Sequence, residues 1–355
     1  MKKLPELKIG DLIAKIPIIQ GGMGVGVSRA KLAGAVAKEG GIGIISTAQI
    51  GYDEPDFETN TLEANLRSLE KNIKEAKKIS NNGIIGINIM TVTTHYKENV
   101  KKAIEAGVDL IISGAGLPKE LPKLVEGTKV KIAPIVSSAR GAGLMIKLWL
   151  KHNHAPDMIV VEGPEAGGHL GFSREELKEK KSIFDIAKEV IEKVKEFENE
   201  IKKKIPVIIA GGIYSGKDIA KCLELGASGV QIASRFVATE ECDADIKFKQ
   251  AYVNAQKEEI EIVSSPVGMP GRAIHNEFIE KVSKERIAPE KCLGCLSVCD
   301  PSKTPYCITK ALINSVKGNL KEGLIFCGGN TYRINKIVPV KELMQELITE
   351  AEACY

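Results

Sequence analysis

No apolar run in the 355-residue chain reaches the roughly 18 residues that a membrane-crossing helix needs, so no membrane span is expected. The opening stretch MKKLPELKIGDL has basic residues but no apolar segment behind them, and Pro5 and Glu6 interrupt it. No secretory leader is therefore expected, and the chain reads as cytoplasmic. Charge of one sign is lacking too. Charged residues make up 27% of the chain with a formal net charge of +4, and the signs are interspersed, which gives no footprint for nucleic acid. The lysine-rich runs REELKEKK (174–181) and EKVKEFENEIKKK (192–204) read as solvated helix faces. Two nucleotide signatures are also missing. G-x-x-x-x-G-K-S/T does not occur, which argues against nucleoside-triphosphate chemistry. The glycine-rich QGGMGVGVSR fails G-x-G-x-x-G in each register, because Gly22-x-Gly24 is followed by Val27 and Gly24-x-Gly26 by Arg29.

What is present is a repeated short apolar run. IPIIQ (16–20), GIGIIS (41–46), GIIGINI (83–89), VDLIIS (108–113), VKIAPIV (130–136), DMIVVE (157–162), IPVIIAG (205–211) and GVQIAS (229–234) are mostly β-branched and bounded by Gly, Pro or Asn. Between them lie helix-like segments. One begins at a Ser28 N-cap and ends at Gly40, one ends at Gly107, and one runs from Ser215 to Gly226. Continuously apolar strands alternating with capped helices predict a parallel sheet covered on both faces, and eight β–α units are the arithmetic of an α/β TIM barrel. The expected division is a barrel over residues 1–285 and a small cysteine-rich C-terminal extension over 286–355 that packs on it.

In such a barrel the chemistry sits on the loops after the strands. The unusual stretches fall there: QGGMG, NIMTVTTH, SGAG, VSSARGAG, EGPEAGGHLG, AGGI and ASRF. Glycines at strand ends let a flat ligand approach the backbone. AGGI and ASRF, after strands seven and eight, offer Gly211, Gly212 and Ser234 as a phosphate cup. His169 stands among the glycines after strand six. His95 lies just beyond strand three on the same rim and can line a substrate mouth, whereas His152 and His154 precede a strand at the opposite end.

PIIQGGMG, GINIM, EGPEAGGHLG, IAGGI and QIASRF, in this order and spacing, resemble the nitronate monooxygenase family, which includes FMN-dependent enoyl-ACP reductases of the second type and flavin quinone reductases. The resemblance covers about residues 10–285. It implies a TIM barrel holding FMN at the strand ends, with Gly21, Gly22 and Met23 along the flavin ring and Asn88 and Met90 contacting it. It places Glu162, Gly167 and Gly168 near the ring, and Gly211, Gly212, Gln231, Ala233 and Ser234 at the ribityl phosphate. It also implies His169 as the acid/base or polarising group, a task a histidine titrating near neutrality would suit. A first expected activity is oxidation of alkyl nitronates with dioxygen. A second is NAD(P)H-dependent reduction of an enoyl thioester or a quinone. A flavin- and cysteine-based redox sensor is the non-enzymatic alternative. The expected partner is a small-molecule nitronate or acyl thioester, and a homodimer stays open.

Eight cysteines without a leader argue for thiols or a metal site rather than a disulfide framework. CLGCLSVCDPSKTPYC sets Cys292, Cys295, Cys299 and Cys307 in a C-x2-C-x3-C-x7-C spacing, a metal signal. The triad resembles the cluster segment of old-yellow-enzyme-like dienoyl reductases, which carry a 4Fe–4S cluster. Zinc and plain thiols remain open beside iron–sulfur. Cys327 stands at another glycine-rich turn, IFCGGN, and VPVKELMQELITEAE reads as a closing amphipathic helix.

Overall fold

The eight apolar runs become the strands of a closed parallel barrel in the computed structural model, which describes residues 3–179 and 181–354. Met1, Lys2, Lys180 and Tyr355 lie outside the described residues, so the opening stretch and the 174–181 run are each described only in part. The strands are β1 (Ile18–Gln20), β2 (Ile42–Ser46), β3 (Ile85–Met90), β4 (Leu110–Gly114), β5 (Lys131–Val136), β6 (Ile159–Glu162), β7 (Val207–Ala210) and β8 (Gly229–Ile232). β8 closes on β1, with Val230 opposite Ile18, and every barrel pairing is parallel.

Both faces of each strand are buried, for different reasons. Ile19, Ile42, Ile44, Leu110, Ile112, Val160 and Ile208 fill the interior. Their neighbours Ile18, Ile45, Ile111, Val161 and Ile209 face the helices. That double burial makes the runs continuously apolar instead of alternating. An antiparallel hairpin, Leu7–Ile9 with Leu12–Ala14, joins the interior cluster and plugs the bottom of the barrel. Its turn residue Asp11 pairs with Lys131, at the start of β5, at 2.5 Å.

The main outer helices are α1 (Ala30–Lys38), α2 (Thr61–Ile79), α3 (Tyr96–Glu105), α4 (Ala139–Leu150), α5 (Ile183–Ile201) and α6 (Gly216–Glu224). Ser215 caps α6 in a reciprocal box with Asp218, as its position predicts. Ser28 does not cap α1. The N-cap is Arg29, and the Asp243 carboxylate accepts from the Arg29 and Leu32 amides in place of a local cap. The Ser28 hydroxyl, fully buried, instead accepts from the Met23 amide at 2.8 Å and braces the loop after β1.

After β8 come α7 (Ile246–Asn254) and a hairpin, Ile260–Ser264 with Pro270–Ile274. α8 (Glu277–Lys284), α9 (Ile308–Val316) and α10 (Val340–Cys354) follow. The second hairpin strand pairs with Gly168–His169, so a small sheet bridges the loop after β6 to the C-terminal part of the chain. α10 packs against α6 and α1 and fills the gap in the outer ring after β8. Arg235 holds Glu346 of α10 at 2.8 Å, and the Glu350 carboxylate accepts from the Gly216 amide at 2.8 Å.

The seat for α10 is a glycine. A Cβ on Gly216 would lie 2.4 Å from the Ala351 nitrogen and 2.5 Å from the Leu347 oxygen, both backbone atoms that cannot swing away. Gly216→Val is therefore expected to lower stability by about 1–3 kcal/mol, the usual cost of overpacking. Thermal or urea unfolding checks it, and native stability in the variant would show that α10 does not close the ring at this point.

Candidate functional site

The strand-end loops enclose a cavity of about 470 Å³ at the C-terminal mouth of the barrel. The loop after β1 supplies Gly21, Gly22 and Met23, and β3 supplies Asn88 and Met90. Glu162 at the end of β6 and the following Gly167, Gly168 and His169 form one wall. Gly211 and Gly212 after β7, and Gln231, Ala233 and Ser234 after β8, form the far end. Residues that the sequence scatters over more than two hundred positions thus line a single space. His95 does not. It marks the N-terminal boundary of α3, and Thr93 lines the cavity in its place.

The far end has the makings of an anion cradle. Gly211 and Gly212 have φ of +82° and +97°, a region closed to most side chains, and this turns the backbone of the β7 loop toward the cavity. Ser234 opens a short helix, Ser234–Val237, across the gap. A third wall comes from FCGGN (326–330), near the C-terminus. The Gly328 amide donates to Ser234 Oγ at 3.0 Å, Asn330 Nδ2 donates to the Gly212 carbonyl at 2.8 Å, and the Gly329 amide donates to the Glu165 carbonyl at 3.0 Å. Leu312 and Ser315 of α9, Leu324 and Phe326 carry the same roof toward the other end. The glycine-rich turn beside Cys327 was visible in sequence, but its contact with Ser234, 94 positions away, was not.

His169 is fixed from three sides. Its backbone pairs with Gly271 of the hairpin, and its Nε2 lies 2.8 Å from Ser265 Oγ. Its ring meets Phe326 edge-on at 5.0 Å. Burial pushes its pKa down to about 4, so the imidazole is neutral at physiological pH. The neutral ring carries one N–H and one lone pair, and Ser265 takes up one of the two nitrogens. This corrects the expectation of a histidine titrating near neutrality. The group is a fixed hydrogen-bonding partner, and it holds little charge to give.

Glu162 behaves in the opposite sense. It sits in the cavity wall and burial raises its pKa to about 7. A buried carboxyl whose folded pKa exceeds its unfolded value of 4.5 binds extra protons in the folded state. Its burial is therefore tolerated at low pH and becomes destabilising as pH rises through about 7. Glu162→Gln keeps the shape and removes the titration. The variant's Tm is expected to rise relative to the native protein as pH goes from 5 to 8, by a few degrees. Paired melts across that range check it, and a Tm difference that does not change with pH would place the Glu162 carboxyl in water.

Arg272 is buried nearby and donates from Nη1 to the Pro164 and Ala166 carbonyls, both at 2.7 Å, which fixes the loop leading to His169. Nothing in sequence marked Ser265, Arg272 or Phe326, since each acts only through contacts made after folding. Cys292, Cys295, Cys299 and Cys307 do not line the cavity. Among the described residues no group of three or more His, Cys, Asp or Glu is placed to hold a metal ion, so the metal centre expected at these cysteines, iron–sulfur or zinc, finds no support in the geometry. No described helix is long and apolar enough to cross a membrane.

A family model described as nitronate monooxygenase matches residues 6–350, well past residue 285, where the sequence resemblance ends. A probable nitronate monooxygenase of Staphylococcus saprophyticus is 26% identical over 303 residues, covering 79% of this chain and 82% of that one. The (3aS,4S,5R,7aS)-5-hydroxy-7a-methyl-1-oxo-octahydro-1H-indene-4-carboxyl-CoA dehydrogenase of Mycobacterium tuberculosis is 29% identical over 268 residues, covering 75% of this chain and 65% of its own length. Among solved structures, FabK from Thermotoga maritima aligns with a TM-score of 0.73 at 26% identity, over 96% of this chain and 94% of that one. Nitroalkane oxidase from Streptomyces ansochromogenes aligns with a TM-score of 0.71 at 19% identity, over 96% of each chain, which speaks to the fold alone.

Proposed function

Because the chain belongs to the nitronate monooxygenase family and is an oxidoreductase, we propose that it binds FMN in the barrel mouth and oxidises alkyl nitronates with dioxygen. The cavity fits the cofactor on two counts. Its far end is a backbone cradle at Gly211 and Gly212 with a hydroxyl at Ser234 opposite, suited to a phosphate. Its middle is walled by Gly21, Gly22, Met23 and Met90, flat and apolar enough for a ring system. Bound there, FMN would supply the electron transfer. The residues of this chain then have the simpler tasks of holding the phosphate, orienting the substrate over the ring and excluding water.

The observation that favours the nitronate is the state of His169. An enoyl thioester needs a proton delivered to carbon, and an imidazole pushed down to about 4 is a poor acid at neutral pH. A nitronate arrives already deprotonated and asks only for a hydrogen-bond donor at its oxygens. A neutral imidazole held by Ser265 and Phe326 can supply one. The lining near His169, with Met269, Leu312, Leu324 and Phe326, is apolar and suits an alkyl chain.

The likeness to FabK keeps NAD(P)H-dependent enoyl thioester reduction as the second reading. Anaerobic mixing with NADH, NADPH or ethyl nitronate separates the two. Bleaching of the flavin by nitronate alone supports the proposal. Bleaching by a pyridine nucleotide alone overturns it in favour of the reductase.

A further inference from the structure

The hydrogen bond between His169 and Ser265 has a direction, and the surroundings of Ser265 decide it. The hairpin brings the two residues together across 96 positions. Gly271 pairs with His169 and Ser264 with Pro270, so the turn that starts at Ser265 lies beside the imidazole. That turn is closed on itself. The Gly268 amide donates to the Ser265 carbonyl at 2.9 Å, with Gly268 at φ +84°. The Val267 amide donates to Ser265 Oγ at 3.3 Å, a local side-chain turn that holds the hydroxyl in place.

Two protonation patterns of the neutral ring fit a 2.8 Å contact at Nε2. In the first, Nε2 carries the proton and donates to Ser265 Oγ. The hydroxyl proton then has no acceptor among the described residues, and Nδ1 presents a bare lone pair. In the second, the hydroxyl donates to Nε2 and Nδ1 carries the proton. The hydroxyl is now satisfied in full, because it donates to the ring and accepts from the Val267 amide. The first pattern leaves two polar groups unpaired and the second leaves one, and enclosed polar groups are costly to leave unpaired. The group left over in the second is the Nδ1 N–H of a residue that lines the cavity.

We propose that Ser265 is a positioning residue: its hydroxyl donates to Nε2 and so fixes His169 as the Nδ1–H tautomer, whose N–H is the donor offered to an anionic substrate oxygen. The donor role rests on the nitronate reading above, whereas the tautomer does not. A free imidazole side chain favours the Nε2–H form, so the hydroxyl holds the ring in the form it would otherwise leave. Burial already keeps the ring neutral. The bond accepted at Nε2 works in the same sense, since it has to break before a second proton can occupy that nitrogen.

Nitrogen NMR of the full chain as purified, isotope-labelled at its five histidines, reads the tautomer directly, and His169→Gln identifies the signal. The native protein is expected to show a protonated Nδ1 and an unprotonated Nε2. Ser265→Ala should move the proton to Nε2 in most molecules, and Ser265→Thr, which keeps the hydroxyl, should restore the native pattern. With ethyl nitronate, kcat should fall about five- to ten-fold in Ser265→Ala, the usual worth of one hydrogen bond, and recover in Ser265→Thr. A protonated Nε2 in the native protein overturns the proposal, whether or not either variant folds. An Nδ1–H that persists unchanged in folded Ser265→Ala removes Ser265 as its cause. The spectra need no substrate, so a chain that fails to oxidise nitronates still tests the tautomer. Nitronate turnover by a native enzyme protonated at Nε2 would sink this proposal alone.

Discussion

His169→Ala is expected to leave FMN bound and to cut turnover of its substrate by about 10²–10³-fold, the usual cost of removing one preorganised donor from a reacting oxygen. The cavity wall should survive, because Phe326 is held by its own backbone, whose carbonyl accepts from the Tyr252 hydroxyl. The Ser265 hydroxyl still bonds the Val267 amide at 3.3 Å. Two further measurements separate donor from acid. His169→Gln, which keeps an N–H, should recover part of the loss if the ring only donates a hydrogen bond. In addition, kcat/KM should show no break near pH 6.5 that belongs to this residue, since its pKa has moved to about 4. A native rate in His169→Ala would make the residue structural. A break near 6.5 that disappears in the variant would restore a proton-transfer role.

That reading of His169 reverses part of what its sequence position suggests. A histidine between glycines at a strand end is legible as a site residue, because only a few places in a barrel combine backbone freedom with an imidazole. Its ionisation is not legible. The shift comes from Phe326 and the 260–274 hairpin closing over it, and both lie more than ninety residues further along. The barrel strands show the converse. Each is buried on both faces, so its apolar run is continuous and its bounds can be read to within two residues; IPVIIAG became Val207–Ala210. α1 shows how a local rule fails when a distant group wins. Ser28 has the chemistry of a cap, but Asp243 takes that position and leaves Ser28 to brace Met23. FCGGN looked like a turn near the C-terminus until its amides met Ser234 and Glu165.

Gly212→Leu is expected to weaken FMN binding by about 10²-fold or more while sparing the barrel. At φ +97° a leucine is strained by about 1–3 kcal/mol, and its Cβ would sit 3.1 Å from Glu165 Cβ. Glu165 Cβ is fixed to its backbone, but at 3.1 Å it has to give by only a few tenths of an ångström, and it belongs to an exposed residue of the loop, so the barrel can absorb the change. Gly211 is a poorer choice, because a Cβ there would come within 2.9 Å of the Gly163 backbone and strain the barrel itself. The damage at Gly212 falls on the cradle. The added side chain crowds the anion space, and the shifted loop also loses its Asn330 tie to the Gly212 carbonyl. Charge-assisted hydrogen bonds contribute about 1.5–3 kcal/mol each, so misplacing one or two is enough for the expected loss. Comparing FMN with riboflavin isolates the cause, because riboflavin has the same ring and chain without the phosphate. The native protein should prefer FMN strongly. In the variant FMN affinity should fall toward that of riboflavin, with riboflavin itself little changed, as read from quenching of flavin fluorescence. Equal losses for both ligands would place the damage at the ring, and native FMN affinity would remove Gly212 from the phosphate cradle altogether.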